Sequence, residues 1–187
     1  MAGKVVTSYL NKYGKNIVDS PEFEQAMNQR HHLRSSVGMH TMRVVAASVW
    51  ICYLLKKIHV HTDSESVVKG ALCHDLGILD RDDKFDNNKE CYREHPVESV
   101  EVAKKLLPDL SEKSEEIIRT HMWPVTSELP TCREGVIVSL ADKVVAVRDF
   151  LSFGESRFTD GESYSAPALQ GMENRFRFSI PCSAGAE

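Results

Sequence analysis

The chain has 187 residues, 42% of them hydrophobic, which is long enough for one domain with a substantial core. A formal net charge of -4 gives no basic footprint, so a nucleic-acid groove is excluded as the main function. The five cysteines (Cys52, Cys73, Cys91, Cys132, Cys182) form no Cys-x-x-Cys pair and read as reduced thiols.

The first residues, Met1 to Leu10, contain no continuous apolar h-region. No apolar run approaches the roughly 20 residues that cross a bilayer. The expectation is a soluble, cytoplasmic domain without a membrane partner. Val5, Val6, Tyr9, Leu10, Tyr13 and Ile17 recur at helical spacing and predict one amphipathic helix. Ser20-Pro21-Glu22 predicts a fresh start, with Ser20 as cap and Phe23 and Met27 on the apolar side. A polar link with His31, His32, Arg34, Ser35 and Ser36 follows. It leads into a long apolar helix over Met39–Leu55, entered at His40. His59 to Asp63 breaks that helix. Asp63 or Ser64 then caps the next one, which ends in His74-Asp75 with Gly77 as its stop. The run Asp80 to Asn88 is strongly polar, as a solvated connection or the rim of a site would be.

Glu94-His95-Pro96 predicts the opening of another helix, with Pro96 in its first turn, and Pro108-Asp109 its end. Ser111 caps a helix in which His121 shares the face of Ile117 and Ile118, and Met122-Trp123-Pro124 closes it. Glu134 to Leu151 is the most apolar helix and carries Asp142 in its middle. Beyond Phe150, glycines and serines predict a loosely structured tail. Its weak helical patch (Leu169, Met172, Phe176) would dock back on the domain or on a partner. No repeat and no convincing strand appears before residue 150, so the fold class is all-α. The divisions are N-terminal helices over 1–30 packing on the core, a main domain over 31–151, and a tail over 152–187.

The chemistry centres on Ala71-Leu72-Cys73-His74-Asp75-Leu76-Gly77. Neighbours on a helix point about 100° apart, so His74 and Asp75 cannot both face the core. A carboxylate beside an apolar wall is costly unless it is paired or bound to a cation. His40, His95, His121 and Asp142 add to that pair, each at the end or on the apolar face of a predicted helix. Imidazole and carboxylate donors suit iron, manganese, zinc, cobalt or nickel. Six such residues exceed what one tetrahedral ion takes, and two ions bridged by Asp75 use them all. Lys143 follows Asp142 and either meets a bound phosphate or is a solvated charge. Arg81 and Lys84 stand where they would meet phosphate oxygens, and His31 and His32 where they would line the pocket or shuttle protons. His59 and His61 read as exposed helix-end residues, and Cys73 and Met122 as packing groups beside ligands.

The order His40, His74-Asp75, Asp142 resembles the H…HD…D signature of the HD-domain superfamily. With His95 and His121 it is similar to the H…HD…H…H…D branch, which binds a dinuclear centre. The words around His95, His121 and Asp142 resemble a group of uncharacterised bacterial HD proteins, from about His31 to Arg148. The resemblance implies an HD-domain helical bundle with the metal site between central helices. It implies one divalent ion on His40, His74, Asp75 and Asp142 and a second on Asp75, His95 and His121, with iron or manganese favoured. The activity implied is a phosphohydrolase, in which a metal-bound hydroxide attacks a small phosphate ester or nucleotide, with Asp75 and Lys143 in the catalytic roles. A homodimer is compatible with it. The Gly-Lys and double histidine of cyclic-dinucleotide phosphodiesterases are missing here, since Ile78 follows Gly77 and Met122 follows His121. The Glu-Asp motif of guanosine tetraphosphate hydrolases is not apparent. The alternatives are a mixed-valent di-iron oxygenase of the same fold, with the same six ligands, and a non-catalytic metal-dependent sensor.

Overall fold

Apolar residues of α4 (Val37–Lys57) and α5 (Ser64–Cys73) form the middle of the molecule in a computed structural model that describes residues 2–30 and 36–151. Around them lie α1 (Ala2–Tyr13), α2 (Lys15–Val18), α3 (Pro21–Asn28), α6 (Arg81–Lys84), α7 (Asn88–Leu106), α8 (Glu112–Thr120) and α9 (Arg133–Leu151). A short 3-10 turn, Leu76–Ile78, follows α5 and packs on α7. The fold is all-α, as the sequence predicts, and no strand occurs among the described residues. His31, His32 and the tail after Leu151, with its Leu169, Met172 and Phe176 patch, lie outside them.

Capping sets most boundaries. Ser20, Ser36, Asp63, Asn87 and Ser111 each accept a backbone N–H of the first turn behind them. Each such cap stabilises its helix by about 1 kcal/mol relative to alanine. The first predicted helix is broken in two at Gly14. A Cβ there would stand 2.5 Å from Leu72 Cδ1, so the chain bends where α1 meets α5.

Two boundary expectations are corrected. α7 does not open at Pro96 but eight residues earlier, at Asn88, and Pro96 sits buried inside it. The Asn87 cap and the turn Asn88–Glu90 start the helix, and the missing proline N–H costs only one rung of the ladder. α5 ends at Cys73 with His74 as its C-cap, one residue before the predicted end at His74-Asp75, and Gly77 is not what stops it. Gly77 is required for a different reason: a Cβ there would lie 2.4 Å from both the His95 carbonyl and the Ser99 nitrogen. Its own N–H donates to Ser99 Oγ at 2.8 Å. The polar run after it also contains a single helical turn, α6, where the sequence suggested only loop.

α4 is long and apolar enough by length and composition to cross a bilayer, contrary to the count of apolar runs in the sequence, but most of it is buried inside the domain. α1 lies against α4 and α5, and α9 against α4, α5 and α8. α9 is apolar on its outer side as well: Val136, Leu140, Val144 and Val147 are all exposed. Its inner side carries Asp142.

Candidate metal centre

Five segments deliver one ligand-type side chain or pair each to a common interior point. His40 stands in the first turn of α4, and His74 and Asp75 follow the last turn of α5. His95 is mid-α7, His121 caps the C-terminus of α8, and Asp142 is mid-α9. All six are buried. The structure brings together every residue that the sequence put forward as a metal ligand, in two triads whose donor atoms lie within 4.8 Å of one another: His40, His74, Asp142 and Asp75, His95, His121.

The outer nitrogens fix the inner ones. His74 Nδ1 meets the Ala71 carbonyl at 2.8 Å, His95 Nδ1 the Cys91 carbonyl at 2.7 Å, and His121 Nδ1 the Ile118 carbonyl at 2.6 Å. A carbonyl only accepts, so each Nδ1 carries the proton and donates. Every neutral ring of the three then turns a lone pair on Nε2 towards the centre. His95 Nε2 and His121 Nε2 are 3.1 Å apart, which two lone pairs do not tolerate without a proton or a cation between them. His74 Nε2 is buried with no hydrogen-bond partner; Asp75 Oδ2 is 3.3 Å away but out of line. Leaving such an atom unsatisfied costs about 1–3 kcal/mol. An orphaned imidazole nitrogen among carboxylates fits a divalent ion, and the donor set suits iron, manganese or zinc.

Asp75 reaches both triads. Its Oδ2 lies 3.3 Å from His74 Nε2 and 3.9 Å from His40 Nε2, while its Oδ1 lies 3.4 Å from His95 Nε2 and 3.5 Å from His121 Nε2. Burial works against its charge, but the surrounding imidazoles hold the carboxyl well below the usual range. Asp142 is likewise held low: burial is outweighed by the His40 hydrogen bond at 2.9 Å and by His74 and Lys143. Burial also disfavours a charged His40, yet Asp142 and Asp149 raise it to about 10. His95 rises to about 9 against burial through Asp75 and the Cys91 contact. His121 moves the other way, down to about 4, because burial and the neighbouring imidazoles outweigh Asp75.

Sequence reasoning missed Asp149, Arg43 and Ser99. Asp149 Oδ2 is 3.4 Å from His40 Nδ1, and its Oδ1 accepts from Arg43 at 2.9 Å. Asp149 lies seven positions after Asp142, two turns along α9, a spacing that was readable once Asp142 had been chosen. Lys143 Nζ donates to Asp142 Oδ2 and to the His121 carbonyl, both at 2.8 Å. Arg81 is engaged by Asn88 and Asp82, and Lys84 is exposed on the same short helix. Neither makes a hydrogen bond or ion pair with the six ligands. His59 and His61 are exposed, and Cys73 is buried behind His74, where burial pushes its thiol up to about 12.

Comparison with known proteins agrees with this arrangement. No curated protein and no solved structure matches the chain. The HD domain family model matches residues 37–147, a span that holds all six ligand-type residues and more than half of the sequence, and the chain belongs to that family.

Proposed function

We propose that the chain is a metal-dependent phosphohydrolase that uses two divalent ions on a small phosphate ester or nucleotide. The observation that carries this reading is the convergence of four buried Nε2 atoms and two carboxylates, with three of the Nδ1 protons spoken for by backbone carbonyls. His40, His74 and Asp142 would hold one ion and His95 and His121 the other. The split of Asp75, one oxygen towards each triad, supports its reading as the bridge. Divalent ions at such a centre supply Lewis-acid charge and water of lowered pKa for attack at phosphorus. Iron or manganese suits the donors best, with zinc, cobalt and nickel also compatible.

Lys143 has one part in this reading that its contacts support. Two of its three N–H groups are taken by Asp142 and the His121 carbonyl, and the side chain is partly exposed. The third donor is left for a phosphoryl oxygen. Arg81 and Lys84 are proposed to meet a larger substrate at the rim, Arg81 by exchanging Asn88 for an anion. His31 and His32 remain proposed as pocket residues.

The test is a broad panel of small phosphate esters and nucleotides, offered to protein reconstituted with manganese or iron while dissolved oxygen is followed. Hydrolysis of at least one ester without oxygen uptake is expected. Uptake of oxygen with an organic substrate, and no ester turned over, would replace the hydrolase by an oxygenase on the same ligands.

A further inference from the structure

Four imidazoles face the centre, and three of them are steered by the helix that carries them. His74 and His121 follow the last turns of α5 and α8, where carbonyls are left without a backbone donor, and each ring donates Nδ1–H to one of these. His95 uses the carbonyl one turn back in α7. His40 is placed differently. It stands at the opposite end of its helix, in the first turn of α4, where the free backbone groups are N–H donors. The positive end of the helix dipole adds a second disadvantage for an imidazole that must donate outward.

Asp149 supplies a side-chain acceptor from another element. It reaches from α9 to place Oδ2 at 3.4 Å from His40 Nδ1, and Arg43, one turn beyond His40 on α4, fixes its other oxygen at 2.9 Å. We propose that Asp149, held by Arg43, is a positioning residue that sets the tautomer and the ring orientation of His40 for the ion shared with His74 and Asp142. The proposal rests on the two-ion reading above and deepens it: His95 and His121 are steered by backbone alone, while the His40 triad also depends on a carboxylate that a single substitution removes. Asp149 and Asp142 stand two turns apart on α9. The same helix therefore supplies both a ligand of that site and the brace of another, and α4 and α9 must be packed together for the site to form.

The experiment is metal titration of the full chain with manganese, wild type against Asp149→Ala, together with nitrogen NMR of the histidine rings in zinc-loaded protein, where each ligating ring is neutral. In Asp149→Ala one of two affinities should fall about 10–100-fold while the other stays within twofold. The His40 ring, and no other, should shift from the Nδ1–H form towards a mixture, which a purely structural role would not produce. Asp149→Asn keeps an acceptor and the side-chain volume, so it should fall between the two and serve where the alanine variant does not fold. Arg43→Met should weaken the same ion by a smaller factor. Two unchanged affinities with an unchanged His40 tautomer in Asp149→Asn and Asp149→Ala would overturn the inference and leave the two-ion reading intact. A wild type that binds fewer than two ions would overturn the two-ion reading itself, and the inference with it.

Discussion

His40, His74 and Asp142 offer the same chemistry as Asp75, His95 and His121: two imidazoles and one carboxylate, all buried. They are built differently. The second triad comes from one stretch of chain, residues 75 to 121, and both its histidines are braced by carbonyls of their own helices. The first spans residues 40 to 142 and exists only where α4 lies against α9, with His40 braced by a side chain. The protonation states differ too. Burial and neighbouring imidazoles hold His121 at about 4, so it stands ready as a neutral ligand at pH 7. His40 is held at about 10, despite its burial, by Asp142 and Asp149, and His95 in the other triad at about 9 by Asp75 and the Cys91 contact, so a cation must displace a proton at either triad. Both triads need helices packed together, but His95 and His121 are steered by carbonyls of their own helices, while His40 is steered by a side chain from a neighbouring helix.

Asp75→Asn breaks the comparison most severely, because Asp75 faces both triads at once. We expect bound metal to drop from about two ions per chain towards none, and ester hydrolysis to fall by more than the roughly hundredfold typical of losing only a supporting group. His121→Ala is the control. It should empty the second site and leave an ion on His40, His74 and Asp142. Elemental analysis of protein purified without chelator separates the two; equal metal retention would show that Asp75 is not shared.

Chelation tests how much of the fold the two sites hold. Without cations, Asp75 must rely on histidine protons for charge balance, and Asp142 on those and on Lys143. Ion binding to the folded chain alone adds about 3 kcal/mol at a hundredfold excess over the dissociation constant. In a chain of this size that corresponds to about 6–12 °C in melting temperature. We expect chelator to lower the melting point by that amount and manganese to restore it. The ion of the His40 triad should leave first on stepwise chelation, and His121→Ala, which keeps only that triad, should give up its ion at the chelator concentration of the first wild-type step.

The six ligand-type residues were legible because a carboxylate or imidazole on an apolar helical face needs a reason to be there, and because their order resembles the HD-domain signature. The caps Ser20, Asp63 and Ser111 were legible for a similar local reason. What escaped depended on contacts across the sequence. Gly77 looked like a helix stop, but its lack of a side chain serves the close approach of α7. Pro96 looked like a helix start, because proline favours first turns, yet the Asn87 cap had already begun the helix. The outer apolar side of α9 (Val136, Leu140, Val144, Val147) is indistinguishable from a core face by periodicity alone. Asp149 carried no sign of its role beyond standing seven positions after Asp142, and an aspartate near a helix end is usually solvated.

The smallest expected effect concerns the connection between the two sites. The chain leaves α8, which ends in His121, and must return at the right height to start α9, which carries Asp142. Glu116 holds that return: its Oε1 accepts from Thr131 N, Thr131 Oγ1 and Cys132 N. Partial burial raises its pKa, but these hydrogen bonds outweigh it and leave the group below its ordinary 4.5. A depressed carboxyl contributes stability that is fully present above the unfolded pKa and is lost as pH falls through the folded one. Glu116→Gln keeps an acceptor oxygen and removes only the charge, so it isolates that contribution. Because the group is partly exposed, solvent screening limits the effect to below about 1 kcal/mol. We expect Glu116→Gln to melt slightly below wild type at pH 7, with the difference closing as pH falls below about 4.5, where wild type also loses the charge. Melting both proteins with chelator present removes the acid sensitivity of metal binding from the comparison. A gap that stayed constant from pH 7 to pH 3 would assign the effect to packing of the amide and not to the charge that ties α8 to α9.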